Sequence, residues 1–144
     1  MLQISEHISY AEAIYSDTAK REGINNYFTQ EQLVRMKLVA EKVYERVVAY
    51  LGVPVYISSF FRNSVLNAFL GGSDTSQHVL GEAMDLDADF YDRITNKQIF
   101  DYIKDNLEFD QLIWEKGTDE EPSWVHVSYT ERRPNRKQIL RTRN

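Results

Sequence analysis

The sequence predicts an α+β fold, in which N-terminal helices pack on a mostly antiparallel sheet of about four strands. Helical spacing dominates the first 50 residues, and β-branched or alternating segments dominate the remainder. No internal repeat interrupts that order. The 144 residues suit one domain, 1–144, with a core over about 29–130 and a basic tail over 131–144.

Residues 8–20 read as a short helix, because Ala11, Ile14, Tyr15 and Ala19 fall near helical spacing. Gly23 to Asn26 is a turn. Thr29, with Gln32 three residues later, forms a capping box that starts a long helix. Leu33, Met36, Val39, Val43 and Val47 make one apolar stripe down to about Tyr50, and Gly52 supplies the stop. Residues 53–59 (VPVYISS) read as a strand with Pro54 at its start. A short helix over 63–70 ends at Gly71-Gly72. Residues 83–89 (AMDLDAD) alternate apolar and acidic, as a strand does. Thr95 caps a helix over 96–106, with Ile99, Tyr102, Ile103 and Leu107 inward. Residues 109–115 and 124–130 are two further strands joined by a polar loop, 116–123.

Composition narrows the function. There is no cysteine, which excludes disulfides, thiolate metal sites and a cysteine nucleophile. No apolar run approaches the ~18 residues of a membrane span. The first ten residues lack a basic n-region and a hydrophobic stretch, so no signal peptide is expected and synthesis is expected in a cytoplasm. Residues 1–130 hold 11 basic and 21 acidic side chains, a net of −10. Residues 131–144 hold six basic side chains and one acid, a net of +5. The acidic body argues against nucleic acid as the main partner. The tail reads as a solvated C-terminal strand and extension.

Only His7, His78 and His126 are histidines. His78 precedes the strand that contains Asp85, and His126 lies inside another strand. Two imidazoles and a carboxylate suit Zn²⁺ and leave a fourth position for water, the layout of a catalytic site. Alternation puts Asp85, Asp87 and Asp89 on one face of their strand, and Trp124, His126 and Ser128 on one face of theirs. A solvated sheet face explains such a row of acids as well as a metal does. An EF-hand fails, because Phe90 and Asn96 stand where that loop wants Gly and Glu. The HExxH helix, a phosphate-binding glycine loop and G-x-S-x-G are absent. His7, ahead of the first helix with no acid at useful spacing, reads as a capping or surface residue.

Residues Ser76 to Asp85 (SQHVLGEAMD) resemble an S-x-H-x-x-G-x-A-x-D signature, and Trp124-Val125-His126 resembles a W-x-H element. Both belong to the zinc D-alanyl-D-alanine carboxypeptidase and L-alanyl-D-glutamate endopeptidase family. That group includes bacterial wall peptidases, vancomycin-resistance dipeptidases and phage endolysins, and the hedgehog signalling domain shares its fold. Ser58 to Arg62 is similar to the family's S-G-Y-R-S segment, and Asn67…Gly71-Gly72-Ser73 to the run before the signature. The likeness spans roughly residues 29–141. It implies one Zn²⁺ held by His78, Asp85 and His126. It also implies that Arg62 reaches the substrate or a developing oxyanion, and that Ser76 and Gln77 border the cleft. Trp124, beside His126, is a candidate wall of the substrate groove.

The family's general base is less plainly placed. Many members carry an acid three residues before the last histidine, where this chain has Ser123. Others place a Glu at the end of the preceding strand, which Glu115 matches. Glu115 and Trp124 flank one loop and would lie side by side in a hairpin. Glu121 and Glu120, on that loop, are the alternatives. The resemblance implies a zinc metallopeptidase acting on peptidoglycan stem peptides, as a D-Ala-D-Ala carboxypeptidase or an L-Ala-D-Glu endopeptidase. A phage or prophage lysin, released through a holin-type route, would reach that substrate. A cytoplasmic D-Ala-D-Ala dipeptidase, and a non-catalytic phage structural or wall-binding module, are the competing functions. The expected partner is the peptide, with no nucleic acid or membrane, and the expected state is a monomer. The tail charges, Arg132, Arg133, Arg136 and Lys137, would add weak attraction to anionic wall polymers.

Overall fold

In the computed structural model, which describes residues 2–144, the chain opens with a small hairpin of β1 (Gln3–Ser5) and β2 (Ile8–Ser9). The helix expected over 8–20 is two helices, α1 (Tyr10–Ile14) and α2 (Asp17–Glu22). Local hydrogen bonding causes the break. Ser9 and Glu12 form a reciprocal capping box on α1, and the Ser16 hydroxyl accepts from the Ala19 amide to cap α2. Both serines hold extended backbone, so one helix cannot run through them.

The Thr29–Gln32 capping box starts α3 (Gln30–Val39), as its spacing predicts. The helix continues through a π-helical turn (Ala40–Tyr44) into α4 (Glu45–Leu51), and ends at Gly52 with φ +70°. The predicted stripe of Leu33, Met36, Val39, Val43 and Val47 is buried along its whole length.

Five strands form the main sheet: β3 (Tyr56–Ser59), β4 (Ala83–Asp87), β5 (Gln111–Glu115), β6 (Trp124–Ser128) and β7 (Gln138–Arg141), in the order β3-β4-β6-β5-β7. Neighbours run antiparallel except β5 and β7, which are parallel. The four predicted strands are present, each shorter than its sequence pattern. The fifth, β7, is the solvated C-terminal strand expected within 131–144. Between the strands lie α5 (Ser64–Phe69), α6 (Gln77–Leu80), a 3₁₀ turn (Ala88–Phe90) and α7 (Asn96–Asn106).

Side-chain alternation divides the sheet. Met84, Leu86, Leu112, Trp114, Val125 and Val127 are buried in one core with the α3–α4 stripe and with Ile99, Phe100 and Ile103 of α7. Ile4, Ile8 and Ala13 join the same core. Asp85, Ile113 and His126 occupy the opposite face, in register across β4, β6 and β5. The expected row of three acids is shorter, because β4 ends at Asp87 and Asp89 lies in the 3₁₀ turn. Asp87 serves that turn and α7, accepting from the Asp89 amide at 3.0 Å and from Asn96 Nδ2 at 3.2 Å. Among the described residues, no helix is long and apolar enough to cross a membrane.

Candidate metal centre

His78, Asp85 and His126 converge from three elements. Asp85 on β4 and His126 on β6 are direct cross-strand partners, which brings their side chains together on one face. His78 arrives from α6. The Ser76 hydroxyl caps that short helix by accepting from the His78 amide at 3.2 Å. Gly81 ends it with φ +81° and turns the chain into β4. A Cβ at Gly81 would lie 2.8 Å from the Gln32 carbonyl oxygen of α3, so this close turn also demands glycine. Gln32 Nε2 donates to the Val79 carbonyl at 3.1 Å, which anchors α6 to α3.

His126 Nδ1 is 2.9 Å from Asp85 Oδ1, and His78 Nε2 is 3.3 Å from Asp85 Oδ2. One ligand atom from each of the three lies within 4.8 Å of the others. Two ligands of a tetrahedral Zn²⁺, each about 2.0–2.1 Å from it, stand about 3.3 Å apart, so the trio has the spacing such an ion needs. The His78 ring is also oriented for the task. Its Nδ1 donates to the Phe60 carbonyl at 2.7 Å, which turns Nε2 toward Asp85. His78 is 3% and Asp85 7% exposed, so neither is a casual surface group. Burial pushes the Asp85 carboxyl up. The charge of His78, with hydrogen bonds from both imidazoles, outweighs burial and holds it well below the usual carboxylate range. An ionised carboxylate beside two imidazoles fits a divalent cation.

Glu6, His7 and Glu45 form a second cluster of ligand-type groups. His7 Nδ1 sits 2.5 Å from Glu45 Oε1, and the other Glu45 oxygen accepts from Ser5 Oγ and the His7 amide. That hydrogen bonding ties the hairpin turn to α4, in keeping with a surface role for His7.

Two clefts adjoin these residues, one lined by Arg62 and the other by His126. Arg62 Nη2 is 3.4 Å from Asp85 Oδ2, and Arg62 Nε donates to Ser59 Oγ at 2.9 Å. Arg62 lines a cleft of about 240 Å³ with Tyr15, Tyr56 and Ser58. His126 lines a larger cleft of about 480 Å³ with Ser76, Gln77, Ile113 and three arginines, Arg132, Arg133 and Arg136. Trp124 lines neither, and its indole nitrogen is buried with no hydrogen-bond partner among the described residues. Glu115 pairs with Trp124 across β5 and β6, two residues along from the Ile113–His126 pair, and so shares the face of His126. Its carboxylate accepts from Thr142 Oγ1 at 2.8 Å. Glu121 is occupied elsewhere, accepting from the Lys97 amide in the first turn of α7 at 3.0 Å. Glu120 is exposed on the loop.

The Phe60 carbonyl and the cleft position of the three arginines have no local signal in the sequence. The arginines are placed by pairing with acids far away in the chain. Glu82 is 1% exposed and accepts from Arg132 Nε and Nη2 at 2.7 and 2.8 Å. Asp110 is fully buried and is gripped by Arg133 and Arg136.

Residues 6–128 match the model of a protein family described as Peptidase M15. No curated protein is significantly similar to the chain.

Proposed function

The chain belongs to the peptidase M15 family, a family of zinc-dependent peptidases, and from that premise we propose that it hydrolyses peptide bonds in peptidoglycan stem peptides. The convergence of His78, Asp85 and His126 carries this reading. These three would hold the zinc ion. When bound, zinc supplies Lewis acidity toward an amide carbonyl and lowers the pKa of water to about 7. The remaining work falls to the chain's own side chains. The peptide lies across the face of β6, between the Arg62 cleft and the cleft beyond His126. Arg62, held by Ser59, orients the substrate through a carboxylate or its carbonyl oxygen. Glu115 takes a proton from the attacking water and returns it to the leaving amine. Its place on the sheet face of His126 supports that role, and the commitment of Glu121 to α7 leaves Glu115 the better placed acid. Ser76 and Gln77 border the cleft and contact the peptide backbone.

Purified protein is expected to hold one zinc per chain and to release new amino termini from muropeptides. Mass spectrometry of the products identifies the bond, with L-Ala-D-Glu and D-Ala-D-Ala as the candidates. His126→Ala is expected to lose zinc and turnover together. Stoichiometric zinc in that variant would place the ion elsewhere and overturn the reading.

A further inference from the structure

We propose that the cleft between His126 and the 132–136 loop is a carboxylate-binding subsite that selects anionic peptides, an inference that rests on the peptidase reading above. The cleft is lined by Arg132, Arg133 and Arg136 beside His126, and no acidic side chain shares the lining. Such a surface is unusual in this protein, whose first 130 residues carry 21 acidic and 11 basic side chains.

The three guanidiniums are held in place from behind. Arg132 spends Nε and Nη2 on Glu82, Arg133 spends Nη1 and Nη2 on Asp110, and Arg136 spends Nε and Nη2 on Asp110. Each engages its acid through one edge. A guanidinium has five N–H donors, so each retains others for a second acceptor. The arginine side chains are 37–47% exposed, whereas those of Glu82 and Asp110 are 0–1% exposed. The acids are therefore covered and the arginines face outward. Three cations against two carboxylates leave a net positive charge on the cleft. Long side chains that are already immobilised lose little further entropy when a ligand binds, which favours a selective contact over a diffuse one. Ser73, Thr75 and Gln111 on the same walls offer polar partners for a peptide backbone.

A purely structural role, with the arginines serving only Glu82 and Asp110, predicts a loss of stability and no change in substrate preference. The two roles are separated with a stem pentapeptide carrying free carboxylates and the same peptide with its carboxylates amidated. Each is tested for cleavage and for calorimetric binding with zinc-loaded wild type, Arg133→Gln, Arg136→Gln and Arg133→Lys. The single Gln variants each leave one arginine on Asp110, and Arg133→Lys retains the charge. Wild type is expected to favour the free acid about tenfold or more in KM and in binding, as a charged hydrogen bond is worth. That preference is expected to shrink severalfold in each Gln variant and to be partly kept in Arg133→Lys, with kcat little changed. An equal preference in wild type and both Gln variants overturns the subsite while leaving the peptidase reading intact. Preferential binding that is lost in the variants, with no cleavage of either peptide, upholds the subsite and overturns the peptidase reading.

Discussion

Asp85 faces both imidazoles with its two oxygens, at 2.9 and 3.3 Å, and each ring is steered by something other than an ion. The Phe60 carbonyl orients His78, and the cross-strand register fixes His126. Glu115 makes no contact of that kind, so its replacement separates binding from chemistry. Glu115→Gln is expected to keep full zinc occupancy and near-normal KM while kcat falls by about 10²–10⁴, the usual share of a general base. Near-normal turnover would remove Glu115 from the mechanism. At this scale the sequence was informative where spacing is rigid. Asp85 is the seventh residue after His78, and a short helix with a glycine stop bridges them. The Phe60 carbonyl was out of reach, because a backbone oxygen has no residue identity to read.

The turn from α6 into β4 is the least forgiving element. Gly81 combines a left-handed backbone with a position where an added Cβ would stand 2.8 Å from the Gln32 carbonyl oxygen. Gly81→Ala is expected to cost about 2 kcal/mol or more, from strain and from the clash with α3. A denaturant melt would measure that cost, and zinc affinity should fall with it because His78 and Asp85 flank the turn. Elements with side-chain periodicity were legible from sequence: the α3–α4 stripe, the α7 capping box, and the alternation of β4 and β6. Two features were not. Ser9 and Glu12 do spell a capping box, but the apolar spacing over 8–20 masked the break that it marks. β1 and β2 are too short to show alternation. The C-terminal strand was legible, and it leaves Ile139 and Leu140 exposed at 49% and 37%, but its parallel pairing with β5 has no turn sequence to betray it.

Across the whole molecule, the largest departure from the sequence reading is the tail. Its arginines neutralise buried acids 23 and 50 residues away, a pairing that no local pattern encodes. This makes the fold sensitive to acid. Burial raises the Asp110 carboxyl, but hydrogen bonds from Arg136 and Arg133 override it and leave the group below its ordinary 3.8. Burial likewise raises Glu82, and Arg132 with Gln77 and Thr130 leaves it below 4.5. A depressed acid contributes stability above its unfolded value and loses it as pH falls toward its folded value. The melting temperature of chelator-treated protein should therefore be level from about pH 5 to 7 and drop below about pH 4. A melting temperature unchanged down to pH 3 would show that these pairs do not hold the fold. Arg132→Ala should lower stability at neutral pH by about 1–3 kcal/mol, because it removes two charged hydrogen bonds from Glu82 and leaves Gln77, Thr130 and the more distant Arg35.

The clasp of residues 132–136 on Glu82 and Asp110 has a consequence for biosynthesis. Every metal ligand has left the ribosome before the first of those arginines does. Until they emerge, Asp110 lacks both of its arginines and Glu82 has only the more distant Arg35, at 4.0 Å, an arrangement that resists closure of the sheet. Closure of the sheet around the three ligands is thereby tied to a segment synthesised after all of them.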